Sequence, residues 1–351
     1  MKRREFIKNT TLTLSLCPLL SACTSKNDKF YLEDDQLPKH VRLDICTLCQ
    51  LNCVECFMRK DEENIRKQGG FGYVDFETFK NFIDKHPFIE KINVSNHGEI
   101  FLNPDLDKIL EYAYQKGVVL GANSGVNLNT ISEETAENLV KYQFELLCVS
   151  IDGASQETYS IYRRGGDFNK VIENIRMINR FKEKYNSKFP IMVYKFIPFG
   201  HNEHEIEDAK KLAQELNMSI SFDVNYAREY SPLKNPQKVM EQTGLVGLDY
   251  YIDDVYKRHE KTEGWFFCKS LFEEPQINFD GNLLGCCIQV NQGFGINVFK
   301  EGLKKALNSQ KVLHAKHMVT DLSTPAPAEH ICTHCQVYKY LKENNCTLAG
   351  V

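Results

Sequence analysis

From residue 41 to residue 224 the chain alternates between two hydrophobic rhythms. Short runs at 41–46, 91–95, 118–120, 146–151, 191–197 and 219–224 are rich in Val, Ile and Leu and read as strands. Between them, apolar residues recur at helical spacing. Residues 75–86 carry Phe76, Phe79, Phe82 and Ile83 on one stripe, and Asn103-Pro104 opens a helix that runs to Lys116. Ser132 starts another, with Glu133 and Glu134 in its first turn. Phe168, Val171, Ile172, Ile175, Ile178 and Phe181 mark a long amphipathic helix, and residues 203–216 a further one. The run at 146–151 is nearly all apolar, as expected of a strand covered on both faces.

Strand–helix alternation of this kind predicts a parallel sheet. Six repeats predict an α/β fold: a partial (β/α)6 TIM-type barrel with a small cysteine-rich C-terminal domain, an open doubly wound sheet being the other arrangement. Either fold places chemistry at the C-terminal ends of the strands. The chain divides into residues 1–23, a polar linker at 24–39, the barrel at 40–230, a bridging segment at 231–264 and the cysteine-rich part at 265–351.

Composition narrows the class. The 351 residues are 42% hydrophobic and 26% charged, which is globular rather than disordered. Lys+Arg 43 against Asp+Glu 47 leaves a net charge of −4, with no basic surplus for nucleic acid. No apolar run is long enough for a polytopic membrane protein. At the start, Arg3-Arg4, a short apolar stretch and Leu20-Ser21-Ala22-Cys23 resemble a twin-arginine signal ending in a lipoprotein box. That resemblance implies export and a lipid anchor on Cys23; a cytoplasmic chain with an untidy N-terminus is the alternative.

The 13 cysteines change the picture most. Cys49, Cys53 and Cys56 fall within eight residues just past the first strand. Three thiolates on one loop can close around one metal centre and leave its fourth corner open to a small molecule. CxxxCxxC after the first strand of a βα barrel resembles the radical S-adenosylmethionine enzymes. The resemblance implies a [4Fe–4S] cluster on these three cysteines, with S-adenosyl-L-methionine on the fourth iron. It implies that Gly98 and Glu99, in Asn96-His97-Gly98-Glu99, receive the cofactor's amino group. Ser150, in Val149-Ser150-Ile151-Asp152-Gly153, would contact ribose, and Arg163, in the stretch 159–168, would face the cofactor carboxylate. His97 and Ile100 depart from the family's glycine and proline. Glu55 stands where an aromatic is usual, and Phe57 is the nearest substitute.

A second cysteine group follows. Cys268 precedes Asp280-Gly281, a hairpin turn signal, and then come Cys286, Cys287, Cys332, Cys335 and Cys346. This resembles the SPASM appendage of radical enzymes and implies an auxiliary [4Fe–4S] cluster on Cys268, Cys286, Cys332 and Cys335. Cys287 and Cys346 are left over. A zinc knuckle with His330 and His334, or disulfides, are the other readings of these thiols.

His201 and His204 look like a metal motif but read better as the opening of a helix capped by Asn202. Phe266, Phe267, Tyr250 and Tyr251 read as core, and Lys257-Arg258-His259 and Lys304-Lys305 as solvated faces. Cys46 and Cys148 read as buried strand residues. The expected function is therefore reductive cleavage of S-adenosylmethionine and hydrogen abstraction from a substrate. A flavodoxin or ferredoxin would supply the electron, and a peptide or protein is one reading of the substrate. A non-catalytic iron–sulfur electron carrier and a zinc-stabilised binding protein are the alternatives.

Overall fold

The computed structural model describes residues 28–67, 70–225, 229–245, 266–286, 293–345 and 347–348. The signal-like start with Cys23, residues 246–265, Cys287 and Cys346 lie outside the described residues.

Seven strands form one sheet: β1 (His40–Leu43), β2 (Lys91–Asn93), β3 (Val119–Val126), β4 (Leu146–Ser150), β5 (Ile191–Phe196), β6 (Ser219–Phe222) and β7 (Gln276–Ile277). Their order is β6-β5-β4-β3-β2-β1-β7, every named pair is parallel, and β6 and β7 stand at opposite edges of an open sheet. The helices α1 (Phe76–Lys85), α2 (Leu106–Gln115), α3 (Glu133–Lys141), α4 (Gln156–Tyr162), α5 (Phe168–Lys184) and α6 (Ile206–Glu215) alternate with the first six strands. The partial barrel is thus the expected one with a seventh strand added. Arg42 pairs with Gln276 in register, so the first strand of the predicted C-terminal hairpin also extends the barrel sheet. Gly281, at φ +86, makes the turn after it.

Side chains alternate across the strands. Val41, Leu43, Ile92, Leu120, Leu147, Val149, Met192, Tyr194 and Phe196 are buried in the main core with the helices. Their neighbours Arg42, Asp44, Asn93, Ser95, Cys148, Ser150 and Lys195 belong to the other, concave face. The run at 146–151 is therefore covered by helices on one side only, and Cys148 and Ser150 face the barrel interior.

Helix starts follow the sequence. Asp75, Ser132, Ser155 and Asp167 each accept a backbone N–H from the first turn of α1, α3, α4 and α5. Asn202 stands at the start of the short helix Glu203–Glu205, but against expectation its side chain makes no cap there. Its Oδ1 accepts from Phe199 N at 2.7 Å, and its Nδ2 donates to Asp152 O and Ile197 O at 2.9 and 3.0 Å. The amide is worth more as a clamp on two buried loops than as a cap on a solvent-washed end.

The C-terminal part carries α7 (Pro236–Thr243), α8 (Phe266–Glu273), α9 (Gln310–Thr320) and α10 (Gln336–Glu343). Met318, Val319, Val337, Tyr338, Tyr340, Leu341 and Leu348 form a second small core there. Residues 28–36, which read as a linker, pack along this part. Leu32 exchanges two hydrogen bonds with Asn308 (2.7 and 2.8 Å), Asp28 pairs with His317 at 2.9 Å, and Phe30 meets Phe272 edge-on. Phe30 and Leu32 are the apolar residues that a polar average over the segment conceals.

Candidate active site

Cys49, Cys53 and Cys56 lie on the loop between β1 and the short helix Phe57–Lys60, at the C-terminal end of β1. Three neighbours hold this loop. Arg59 donates to Cys49 O (2.7 Å) and Leu51 O (3.2 Å). Asn52 N and Val54 N donate to Arg164 O and Tyr162 O at the end of α4. Beyond β3, Asn127 Oδ1 accepts from Gln50 Nε2 at 3.0 Å.

Two of the sulfurs face N–H donors: Asn127 Nδ2 stands 3.6 Å from Cys49 Sγ, and Arg163 Nη1 3.8 Å from Cys53 Sγ. Burial pushes the Cys49 thiol up to about 11 and the Cys53 thiol up as well, with Arg163 opposing the latter. Buried thiols become thiolates only when a cation replaces the proton. Soft, free sulfurs, two of them facing N–H groups, are a donor set that suits an iron–sulfur centre. Among the described residues no three His, Cys, Asp or Glu side chains converge on a single ion position. A tetrahedral zinc would need its sulfurs roughly 3.8 Å apart, at a Zn–S bond of about 2.3 Å.

The other predicted residues ring the same loop. Gly98 has φ +75, and a Cβ on it would sit 2.5 Å from Thr47 Cα, so only glycine lets the β2 loop lie against the start of the thiol loop. Glu99 is fully buried and ties three loops together. Its N donates to Leu48 O (2.7 Å), and its carboxylate accepts from Asn127 N (2.6 Å) and Phe101 N (3.4 Å). Burial lifts its pKa to about 7 against those backbone donors. Ser150 ends β4; its Oγ fills the space that a Cβ on Gly125 would need. Arg163 follows α4, with Nε 2.7 Å from Asp152 Oδ2 and Nη2 on the same oxygen. The guanidinium fork is thus held by Asp152 and presents Nη1 to Cys53.

Sequence reasoning passed over Asp152. It is fully buried at φ +55, with Oδ1 accepting from Ile197 N at 2.8 Å. Asn202 holds its carbonyl, and Glu205 takes Ala154 N (2.7 Å), Ser155 Oγ (2.7 Å) and Thr158 Oγ1 at the start of α4. The visible signal was Asp-Gly at a strand end, the usual place for a turn. His97, the departure from glycine, donates through Nδ1 to Asp44 Oδ2 at 2.9 Å, and the exposed Phe57 ring lies 6.3 Å from its ring. His201 binds Ser231 and His204 is exposed, so the two do not meet at a metal position.

Residues 44–213 match the model of the Radical SAM superfamily. The match spans the thiol loop, Gly98-Glu99, Ser150 and Arg163 in a single segment. The chain is 28% identical over 191 residues to the AdoMet-dependent heme synthase of Methanosarcina barkeri, covering 53% of this chain and 50% of that protein. It is 24% identical over 311 residues to the antilisterial bacteriocin subtilosin biosynthesis protein AlbA of Bacillus subtilis, covering 84% of this chain and 64% of that one. The chain thus spans half to two thirds of these relatives' lengths. In fold it is similar to Streptococcus suis SuiB bound to S-adenosylmethionine, with TM-score 0.60 and 13% identity, over 87% of this chain and 72% of that one. SuiB has also been solved bound to its precursor peptide SuiA.

Outside the matched segment, Cys268, Cys332 and Cys335 pack against the second small core. Burial pushes Cys332 up to about 12, with Cys335 adding to it, and both lie at the short helix Ile331–His334. Cys286 follows the hairpin, and Cys332 and Cys335 are free thiols. The histidines of the zinc-knuckle reading serve the backbone: His330 Nδ1 accepts from Cys332 N (3.2 Å) and its Nε2 bonds Lys311 O (3.0 Å), while His334 Nε2 bonds Ala328 O (2.8 Å).

Proposed function

We propose that this chain is a radical S-adenosylmethionine enzyme that abstracts hydrogen from a peptide or protein substrate. The observation that carries the reading is the trio of free thiols at the end of β1, two of them facing donors that follow β3 and α4, inside the segment that matches the superfamily. When bound, the [4Fe–4S] cube and S-adenosylmethionine supply one-electron cleavage of the sulfonium and a 5′-deoxyadenosyl radical.

The chain's own residues place and shield. Arg59, Asn52 and Val54 fix the backbone of the thiol loop. Asn127 and Arg163 direct N–H groups at sulfur and favour its charged form. The tight approach at Gly98 holds the β2 loop against the start of the thiol loop. SuiB's peptide and AlbA's bacteriocin support a peptide substrate.

A second cube on Cys268, Cys286, Cys332 and Cys335, fed like the first by a flavodoxin or ferredoxin, completes the proposal. The shared small core of three of these thiols and the backbone-bound histidines support it. For residues 1–23 the proposal is twin-arginine export with lipidation at Cys23. Palmitate labelling that disappears in Cys23→Ala supports this, and an unlabelled soluble chain refutes it.

The test is anaerobic reconstitution followed by S-adenosylmethionine and dithionite. 5′-Deoxyadenosine forms, and Cys53→Ala abolishes it. Cluster-filled protein that yields none above background defeats the reading. Iron analysis expects about eight irons per chain, falling by about four in Cys53→Ala and by about four in Cys335→Ala.

A further inference from the structure

The concave face of the sheet carries charges that the reading above does not use. Arg42 on β1 and Lys195 on β5 both reach Ser124 on β3. Arg42 Nη1 lies 3.2 Å from Ser124 Oγ, and Lys195 Nζ lies 3.4 Å from Ser124 O. Each contact skips a strand, which is possible only on the inside of a curved sheet. Asn93 Nδ2 joins from β2, 3.5 Å from Ser124 Oγ.

A bulge makes this possible. Ala122 pairs with Leu147 and Val126 with Val149, so four steps of β3 oppose two of β4. Residues 123–125 are pushed inward, with Gly125 at φ +120. From Ser124, β3 continues for three residues to Asn127 beside Cys49, a span of roughly 10 Å. The charged chamber therefore lies on the barrel side of the thiol loop.

The two cations are deeper than their partners. Arg42 is paired with Glu274 (2.6 Å), their side chains being 9% and 24% exposed. Lys195 is paired with Asp223 (2.7 Å), at 18% and 44%. Stripping a buried cation of its partner is expensive, whereas an exposed carboxylate returns to water at little loss. The exchangeable members are the acids. A ligand that exchanges with them must bring its own anion.

A neighbouring group has one atom left over among the described residues. Gln276, beside Arg42 in register and fully buried, gives its Nε2 to Asp44. Its Oε1 is buried and accepts no hydrogen bond among the described residues. A buried orphan acceptor calls for an N–H or O–H donor.

Resting on the radical reading for its purpose, we propose that this chamber is the substrate seat and takes an acidic peptide. The carboxylate replaces Asp223 on Lys195 beside Ser124, and a peptide N–H satisfies Gln276 Oε1. Arg42, Lys195 and Gln276 are then specificity-determining residues.

The test uses the reconstituted full chain with S-adenosylmethionine and three probes in calorimetric titration: N-acetyl-glutamyl-glycinamide, its glutamine counterpart, and glutarate. The glutamyl peptide binds at least tenfold more tightly than the other two. Lys195→Met removes that preference, and Lys195→Arg keeps most of it. Asp223→Asn tightens the glutamyl peptide severalfold, because Lys195 loses its resident competitor; a merely structural Asp223 would weaken it or leave it unmoved. Equal binding of acid and amide, no binding at millimolar concentration, or an unmoved Asp223→Asn overturns the seat. Glutarate as tight as the peptide overturns the role given to Gln276. 5′-Deoxyadenosine is measured on the same preparation without probes. An acid preference in protein that cannot cleave the cofactor leaves the seat standing and fells the radical reading; cleavage without the preference does the reverse.

Discussion

Single residues in this site are fixed by space and by buried charge. At Gly98 a side chain has neither the backbone angle nor the room. Gly98→Ala is expected to lose about 3 kcal/mol or more of stability, read as a shifted urea midpoint with unchanged slope. Asp152 and Arg163 form a buried pair, so Asp152→Asn strands a guanidinium. The expected loss is about 3 kcal/mol. Asp152→Asn combined with Arg163→Gln recovers part of it, and the double-mutant cycle measures the coupling. The sequence announced the cysteines because thiols at CxxxCxxC spacing have few other uses. It did not announce Asp152 or Asn202, whose roles depend on which loop ends meet. The prediction that Arg163 faces a cofactor carboxylate came from resemblance; in the structure its fork holds Asp152 and one nitrogen faces Cys53.

Among the elements, α9 carries the sharpest stability prediction. Lys316 is 2% exposed and lies 5.3 Å over the Phe272 ring. Burial lowers its pKa to about 8, with Asp28 opposing. A base whose pKa is lower folded than unfolded destabilises the fold while it is charged. That penalty is complete below pH 8 and vanishes as pH rises past 10.5. Lys316→Met should stabilise the chain by up to about 3 kcal/mol at pH 7, with the gain shrinking between pH 8 and 10.5. Thermal melts across that range read it directly, and a pH-independent gain contradicts the assignment. The strand runs were legible because apolar residues alternate with polar ones, as in Val41-Arg42-Leu43-Asp44. The bulge in β3 was not. A bulge is set by how two strands of unequal length share one barrel, and no residue of Asn123-Ser124-Gly125 demands it alone.

For the whole molecule, the N-terminal segment 28–36 and strand β7 bind the C-terminal part to the barrel. Burial works against the Asp28 carboxylate, yet Phe30 N and His317 hold its pKa below the usual value. Its stabilisation is present above the ordinary carboxylate pKa and fades as pH falls through the lowered one. Removing residues 1–36 should lower Tm by roughly 5 °C at pH 7, with a smaller loss at pH 3. The sequence by itself determined the parallel α/β order, the thiol loop at the end of β1 and the helix starts at Asp75 and Ser132. Periodicity, caps and thiol spacing act over a few residues, so they are written locally. Only the tertiary structure decided that Gln276 lies beside Arg42, that Lys195 reaches Ser124 across a strand, and that Asp152 turns Arg163 toward Cys53. These partners stand 11 to more than 200 positions apart, and closing the sheet's curve, not any local preference, brings them together.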